Sequence, residues 1–302
     1  MEWPTTRRLH RDDSGYSACY CKHPKRAVSA QLLKAETLAR TTIEEGSLNI
    51  AVCVKHIPDP NLPGELDGER LKREGVQGVL DPGDEFGVEA GLQLKEAHGG
   101  EVTLFSMGPA VALEAVRRGL SMGADKGVLV SDDALAGADA LTTARVLAAA
   151  IRKAGDFDLV IAGVESTDGY TGTMPSTLAE FLGLPQLTYA KSLEGAEGTI
   201  KVTRQTADGY HVVASPLPAL ITVTAGVNEP RYASFKGIMA AKKKPVEQWS
   251  LGDLELSAED VTVNQSVAGV GVAEERKAGE VIEDDGTGAA RIADFLKEAK
   301  VI

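Results

Sequence analysis

The sequence is poor in cysteine and contains no long apolar segment. Its three cysteines are Cys19, Cys21 and Cys53, and no second pair of cysteines or histidines stands at the spacing of a zinc site. This pattern supports neither a disulfide framework nor a metal site, and it predicts a reducing, cytoplasmic location. No uncharged apolar run reaches the roughly 18 residues that a membrane-spanning helix needs, so we expect no membrane insertion.

Basic residues are also in deficit. The chain of 302 residues has 32 Lys and Arg against 44 Asp and Glu, which gives a formal net charge of -12. Because such a surface repels polyanions, we expect no nucleic-acid partner. A content of 43% hydrophobic and 25% charged residues is typical of an ordinary globular protein with a sizeable core.

The first part of the chain differs from the rest. Residues 1–48 carry more basic than acidic side chains and lack both a hydrophobic period and the apolar core of a signal peptide. We expect an extension that is disordered or results from an overlong start site. The remainder is then divided into an α/β domain over 49–245 and a C-terminal arm with a helix over 246–302.

From residue 49 onward, continuous apolar runs alternate with helical patterns. Strands of this kind, joined by helices, are typical of a parallel sheet that is covered on both faces. We therefore predict an α/β fold with a Rossmann-like parallel sheet, helices on both faces, an inserted β-hairpin and an extended C-terminal arm. The predicted strands are 49–57, 101–106, 127–131, 158–163 and 220–224, with the hairpin formed by 199–206 and 210–214. The first predicted helix begins near Asp84, which we take as its N-cap. Three further helices are predicted over 110–122, 139–154 and 289–299.

The segment from Gly163 to Pro175 is the most informative loop. It leaves a predicted strand, is rich in Gly, Ser and Thr, and enters a helix, which is where open parallel sheets bind ligands. Gly169 and Gly172 would let the backbone approach a phosphate. The alternative is a flexible surface crossover without a ligand. A Walker-type phosphate loop is absent, and the Gly269–Gly271 pair does not follow a predicted strand.

Residues for acid–base or nucleophilic catalysis are scarce. The histidines lie neither beside a nucleophile nor at metal spacing, and Cys53 sits within a predicted apolar strand, where a small core residue is the simpler interpretation. We therefore assign no catalytic residue and do not expect an enzyme with its own acid–base machinery.

A second informative segment, 226–245, follows the last predicted sheet strand. It places Tyr232, Phe235, Ile238 and Met239 at near-helical spacing before the lysines 242–244. An apolar surface beside a cationic cluster on an acidic protein is suited to docking another protein. The alternative is an amphipathic helix that packs on its own domain.

This segment also resembles a known family. Asn228–Tyr232, followed by the stretch from Gly237 to Lys244, resembles the β subunit of electron transfer flavoprotein. Further similar motifs are Val52–Lys55 with Pro58 and Asp59, Leu120–Asp125, and Asp168 with Gly169. The resemblance covers 49–302.

The resemblance implies a heterodimer with an α subunit. Such a protein carries electrons from acyl-CoA and other dehydrogenases to a membrane-bound quinone reductase or a similar acceptor. It further implies that FAD is held mostly by the α subunit, on which the arm and helix over 246–302 dock. The domain over 49–245 is then nucleotide-binding, with AMP in a structural role. Two alternatives stay open: an electron-bifurcating member with a second FAD, and a stand-alone protein that hydrolyses or senses an adenine nucleotide.

The resemblance also assigns residues. Phe235 falls at the dehydrogenase-anchoring position, where Leu is common, and Tyr232, Ile238 and Met239 extend that docking surface. The implied nucleotide contacts are Cys53, Asp81, Met107, Gly163, Val164, Glu165, Ser166, Thr167, Asp168, Gly169, Tyr170 and Thr171.

Three positions in the implied nucleotide loop depart from the family pattern. Val164 and Glu165 stand where many members carry a basic residue and Gln, and the loss of a cation favours AMP over the pyrophosphate of FAD. Tyr170 stands at a position that is often acidic, and its ring is placed to stack on or shield a ligand.

Overall fold

The computed structural model describes residues 47–302 apart from 69, 197, 264, 266, 272–280 and 282. The predicted extension over 1–48 therefore lies outside the described residues except for its last two. The described chain is organised around a nine-stranded sheet, and two short two-stranded ladders lie beside it.

The strands, in chain order, are β1 Leu48–Cys53, β2 His56–Pro58, β3 Leu66–Asp67, β4 Arg70–Leu71, β5 Gly78–Leu80, β6 Gly100–Met107, β7 Lys126–Val130, β8 Leu159–Gly163, β9 Gln186–Ala196, β10 Thr199–Thr206, β11 Gly209–Pro216, β12 Ala219–Val223 and β13 Val246–Trp249. The helices are α1 Pro82–His98, α2 Leu113–Met122, α3 Ala140–Ala154, α4 Met174–Leu182, α5 Phe235–Ala241 and α6 Gly288–Glu298. The large sheet has the order β11-β10-β9-β12-β8-β1-β6-β7-β13.

The sheet confirms the predicted fold class. Every pairing from β9 across to β13 is parallel, whereas β10 pairs antiparallel with both β9 and β11 to form the predicted hairpin. Along β1, Ile50 and Val52 pack into one apolar cluster with α1 and α2, and Ala51 and Cys53 pack into another with α3 and α4. Helices therefore cover both faces, as the continuous apolar strands predict.

The first strand ends earlier than predicted. Val54 still donates its N–H to the carbonyl of Phe105, but the N–H of Lys55 donates to the Asp84 carboxylate instead of to a strand. The chain then turns away, and His56–Pro58 pairs antiparallel with β5. The predicted single strand over 49–57 was wrong at this end, because a side-chain acceptor replaces the ladder.

The N-cap of α1 also differs from the prediction. The helix begins at Pro82, and the capping residue is Asp81, whose carboxylate accepts from the N–H of Gly83 at 2.9 Å. Proline at the first helical position needs no hydrogen-bond acceptor for its nitrogen, which favours the earlier start. Asp84 therefore lies in the first turn, as a helical residue.

Strands β9 and β13 were not predicted from the sequence. Strand β9 pairs antiparallel with the hairpin strand β10. Strand β13 pairs parallel with β7, although it lies within the segment that we assigned to the arm. In β13, Glu247 and Gln248 are exposed. An edge strand with polar, solvent-facing residues has no continuous apolar run, so its pattern does not identify it.

The short helix α5 packs closely on α2. A β-carbon at Gly237 would lie 2.4 Å from the backbone carbonyl oxygen of Ser121. The two backbones can therefore approach only because residue 237 has no side chain.

We predict that Gly237→Ala lowers the free energy of unfolding by about 1–3 kcal/mol, because α5 must move away from α2. Gly269→Ala is the matched control, since a β-carbon there meets no heavy atom of the described residues within 4 Å. Urea unfolding of both variants measures the difference. Equal stability of the two would contradict the tight α5–α2 contact.

Candidate functional site

The order of the strands creates a crevice at the carboxyl edge of the sheet. From β1 the chain proceeds to β6 and β7 on one side, and it then returns through α3 to β8 on the other side of β1. In open α/β sheets, ligands bind at such a switch point, outside the carboxyl ends of the strands. Cys53 ends β1 and Gly163 ends β8, so these two predicted contact positions flank the crevice.

Cys53 and Met107 lie on the apolar side of this edge. The Cys53 side chain is buried in the α3–α4 cluster, and Met107, at the end of β6, packs against the same cluster. Burial, with a smaller contribution from the charge of Asp84, raises the pKa of the Cys53 thiol to about 12. The thiol is therefore protonated and acts as a core group, not as a nucleophile.

Asp81 joins the start of α1 to the loop after β8. Its fully buried carboxylate accepts from the N–H of Gly83 at 2.9 Å, from the N–H of Thr167 at 2.7 Å and from the Thr167 hydroxyl. One side chain therefore serves as a helix cap and fixes the middle of a loop 86 residues away. These contacts explain why a buried carboxylate is tolerated here, since burial of an unpaired one would be costly.

Asp168 lies between two cations. The Lys55 ammonium donates to Oδ1 at 2.7 Å and to the Ser166 hydroxyl at 3.2 Å, and the Arg73 guanidinium donates to Oδ2. Burial works to raise the pKa of Asp168, but the two cations outweigh burial and hold the pKa below its usual value. The carboxylate is therefore ionised at neutral pH and ties the loop to both basic side chains.

Asp84 also stabilises the carboxyl edge of the sheet. Its buried carboxylate accepts from the N–H of Lys55 at 2.8 Å and from the backbone of Gly163. Burial and the nearby charge of Asp81 raise the pKa of Asp84 well above its usual value. A β-carbon at Gly163 would lie 2.9 Å from Asp84 Oδ1, so the contact requires glycine.

The predicted loop residues divide between two surroundings. Ser166, Thr167 and Asp168 face α1 and Lys55, as described above. Val164 and Glu165 line an open cleft of about 720 Å³ together with Gly83 and residues of the hairpin region, among them Tyr189 and Arg204. Gly169, Tyr170 and Thr171 are exposed to solvent.

The four predicted docking residues lie together on the surface around α5. Tyr232 and Phe235 are 91% and 81% exposed, and Ile238 and Met239 are each about half exposed. The segment is thus not an amphipathic helix that buries these side chains on its own domain. It presents contiguous apolar surface, which is typical of protein contact sites.

Polar contacts fix this surface to the body of the protein. The Arg231 guanidinium binds the carboxylates of Glu89 and Glu96 on α1, with Nε 2.7 Å from Glu89 Oε2. The Asn228 amide donates to the carbonyl of Phe86 at 3.0 Å. Glu89 is buried, so its pairing with Arg231 also satisfies a charge that could not remain alone.

The lysine cluster differs from the sequence prediction. Lys244 is half-buried and donates to the carbonyls of Leu120 and Ala124, at the end of α2. Lys242 and Lys243 are exposed. Lys244 therefore satisfies the free carbonyls of a helix terminus, and only the first two lysines belong to the exposed surface.

Comparisons with known proteins identify the family. A family model described as an electron transfer flavoprotein domain matches residues 70–254. The chain is 40% identical over 264 residues to the electron transfer flavoprotein subunit beta of Mycobacterium leprae, which covers 84% of this chain and 99% of that protein. This chain belongs to the electron transfer flavoprotein β-subunit family.

Two further relatives agree with this assignment. The electron transfer flavoprotein subunit beta of Clostridium acetobutylicum is 37% identical over 261 residues, covering 84% of this chain and all of that protein. The Caffeyl-CoA reductase-Etf complex subunit CarD of Acetobacterium woodii is 40% identical over 222 residues, covering 72% of this chain and 84% of that protein. As a member of the electron transfer flavoprotein β-subunit family, the chain is an electron-carrier subunit and not an enzyme with its own catalytic centre.

Some residues of this electron transfer flavoprotein β subunit were missed by sequence analysis. Arg73 lies in an irregular segment with no motif, and its contact with Asp168 joins positions 95 residues apart. The Arg231–Glu89 pair spans 142 residues. Charge alone does not select these residues from the many others on the chain, because the partner of each is set by the fold.

No helix in the described part of the chain combines the length and apolarity needed to cross a membrane.

We predict that Asp81→Ala frees the loop at Thr167 and lowers the free energy of unfolding by about 2–4 kcal/mol, since it removes a helix cap and leaves buried N–H donors without an acceptor. Hydrogen exchange should become faster over 163–171. Asp139→Ala, which removes the N-cap of α3, is the control. It should leave exchange in that loop unchanged, and faster exchange in both variants would contradict a specific tie by Asp81.

Proposed function

We propose that this chain forms a heterodimer with an electron transfer flavoprotein α subunit and shuttles electrons from acyl-CoA and related dehydrogenases to a quinone reductase or a similar acceptor in the cytoplasm. The FAD of this complex, held mostly by the α subunit, accepts and donates the electrons. This chain helps to form the FAD site and binds AMP in a structural role. Family membership carries the electron-transfer part of this proposal.

The switch point supports the nucleotide part. Its crevice is flanked by the ends of β1 and β8, and the glycine-containing loop of 163–171 begins there. The Ser106 hydroxyl, buried one residue before Met107, has no hydrogen-bond partner within the described part of the chain. An unmatched polar group at the same edge of the sheet fits a polar ligand, because buried hydroxyls are otherwise nearly always paired.

The charge of the loop supports AMP over a second FAD. Residues 163–173 contain Glu165 and Asp168 but neither Lys nor Arg. The second phosphate of FAD extends beyond the single phosphate of AMP, and the loop offers it Val164 and Glu165 in place of the basic residue and Gln of the family pattern. The alternative with a second FAD therefore fits this chain less well.

The C-terminal segment supports docking on an α subunit. In α6, Ile292 and Phe295 are exposed although both are large and apolar, and the same holds for Val301 and Ile302. A helix whose apolar side chains face solvent suits a contact with a second polypeptide. The proposed division into a nucleotide-binding domain over 49–245 and an arm over 246–302 follows from this, although β13 of the arm lies in the sheet.

We predict that denaturing the purified complex releases AMP and FAD in equal amounts. Mass spectrometry of the released ligands measures the ratio, and the isolated chain should be colourless. Two FAD without AMP would instead support the alternative with a second FAD. A stable, flavin-free monomer that hydrolyses or senses an adenine nucleotide would support the stand-alone alternative.

We predict that Phe235→Asp lowers the rate of electron transfer from a dehydrogenase by about tenfold or more, since apolar anchors at protein contacts contribute about 2 kcal/mol or more. The FAD content should not change, because the side chain is exposed and lies on α5. Phe235→Leu keeps an apolar anchor and should retain most of the rate. A normal rate with Phe235→Asp would exclude Phe235 from the docking surface.

A further inference from the structure

We propose that Lys55 and Arg73 bind the phosphate group of the nucleotide at the loop of 163–171. This inference rests on the proposed function, since it assigns residues to the nucleotide site that we propose there. Neither side chain belongs to the loop, and neither was among the contacts that the family resemblance implies.

The two cations reach the loop from separate parts of the chain. Lys55 directly follows β1, whereas Arg73 lies in the segment between β4 and β5. Both side chains end at Asp168, with the Lys55 ammonium 2.7 Å from Oδ1 and the Arg73 guanidinium on Oδ2. The cations therefore lie next to each other on one carboxyl group.

One carboxylate does not balance this pair. Both cations end at the single carboxylate of Asp168, and one of them alone would neutralise it. The neighbouring acidic groups have other surroundings, since the Asp84 carboxylate accepts from the backbone N–H of Lys55 and Glu165 lines the open cleft. The second cation is therefore available to a further anion.

The donors of both cations are accessible. The Asp168 side chain is 2% exposed, but those of Lys55 and Arg73 are 39% and 47% exposed. The described contacts use two of the three ammonium donors of Lys55 and one N–H of Arg73, which leaves donors for a further acceptor.

The loop itself lacks the charge that a phosphate requires. Its Lys- and Arg-free sequence carries Glu165 and Asp168, and Val164 stands where the family pattern has a basic residue. A phosphate dianion bound there must therefore obtain its positive charge from outside the loop. Lys55 and Arg73 provide it through charge-assisted hydrogen bonds, which are among the stronger ones in proteins.

The test compares AMP with adenosine, which differ only in the phosphate. The full chain is isolated with its α subunit, and bound AMP is removed. Calorimetry then measures the affinities for AMP and for adenosine of the unmodified protein, of Lys55→Met and of Arg73→Met. We expect each variant to bind AMP about tenfold more weakly and adenosine unchanged. The double variant should bind AMP no better than adenosine.

Two controls accompany these variants. Lys126→Met removes an exposed lysine that pairs with Glu101 at the opposite edge of the sheet, and it should bind AMP normally. Lys55→Arg keeps the charge and should keep the preference for AMP. This variant also separates loss of charge from misfolding.

The outcomes distinguish the inference from the function on which it rests. Unchanged AMP affinity in the double variant, or an equal loss for AMP and adenosine, would overturn the inference, because the cations would then serve only the loop structure. An unmodified protein that binds neither ligand would instead overturn the proposed nucleotide site itself. Loss of the preference for AMP with Lys55→Arg would show that charge is not the property that matters, and it would count against the inference.

Discussion

The structure depends on β1, which is hydrogen-bonded to parallel strands along both of its edges. Its partners β6 and β8 use its backbone groups, and its side chains are buried alternately on the two faces. A strand enclosed on four sides can contact a ligand only at its ends. Because the chain leaves β1 on one side and returns on the other, the carboxyl end becomes the place where loops meet.

Three aspartates stabilise that meeting place. Asp81, Asp84 and Asp168 each bind groups from distant segments, and the first two are close enough for the charge of Asp81 to raise the pKa of Asp84. Negative charge concentrated in this way is unfavourable by itself. It is tolerated because backbone N–H groups and the side chains of Lys55 and Arg73 offset it, and the loop of 163–171 is thereby fixed on a rigid base.

The proposed docking surface around α5 is held in a different way. Its apolar side chains are exposed and therefore contribute little to the free energy of folding. The segment is instead attached to the rest of the protein through its polar and small residues. Arg231 binds α1, Gly237 permits contact with α2, and Lys244 caps the end of α2. This arrangement leaves Tyr232 and Phe235 exposed on a support that does not depend on them. A backbone that is already ordered in this way loses little conformational entropy when a partner binds.

The sequence by itself determined the parallel sheet and helices on both faces, the hairpin, the loop after β8 and the family. These follow from apolar periodicity, glycine-rich turns and contiguous motifs, all of which are local in the chain. Only the tertiary structure decided that Asp81 and not Asp84 caps α1, that Val246–Trp249 joins the sheet and that Arg73 reaches Asp168. The last two contacts join residues far apart in the chain, and Asp81 itself is held by Thr167, 86 residues away. The free energy of such a contact depends on the distance between the two groups and on their burial. Both are defined only after the strands have set the positions of the loops.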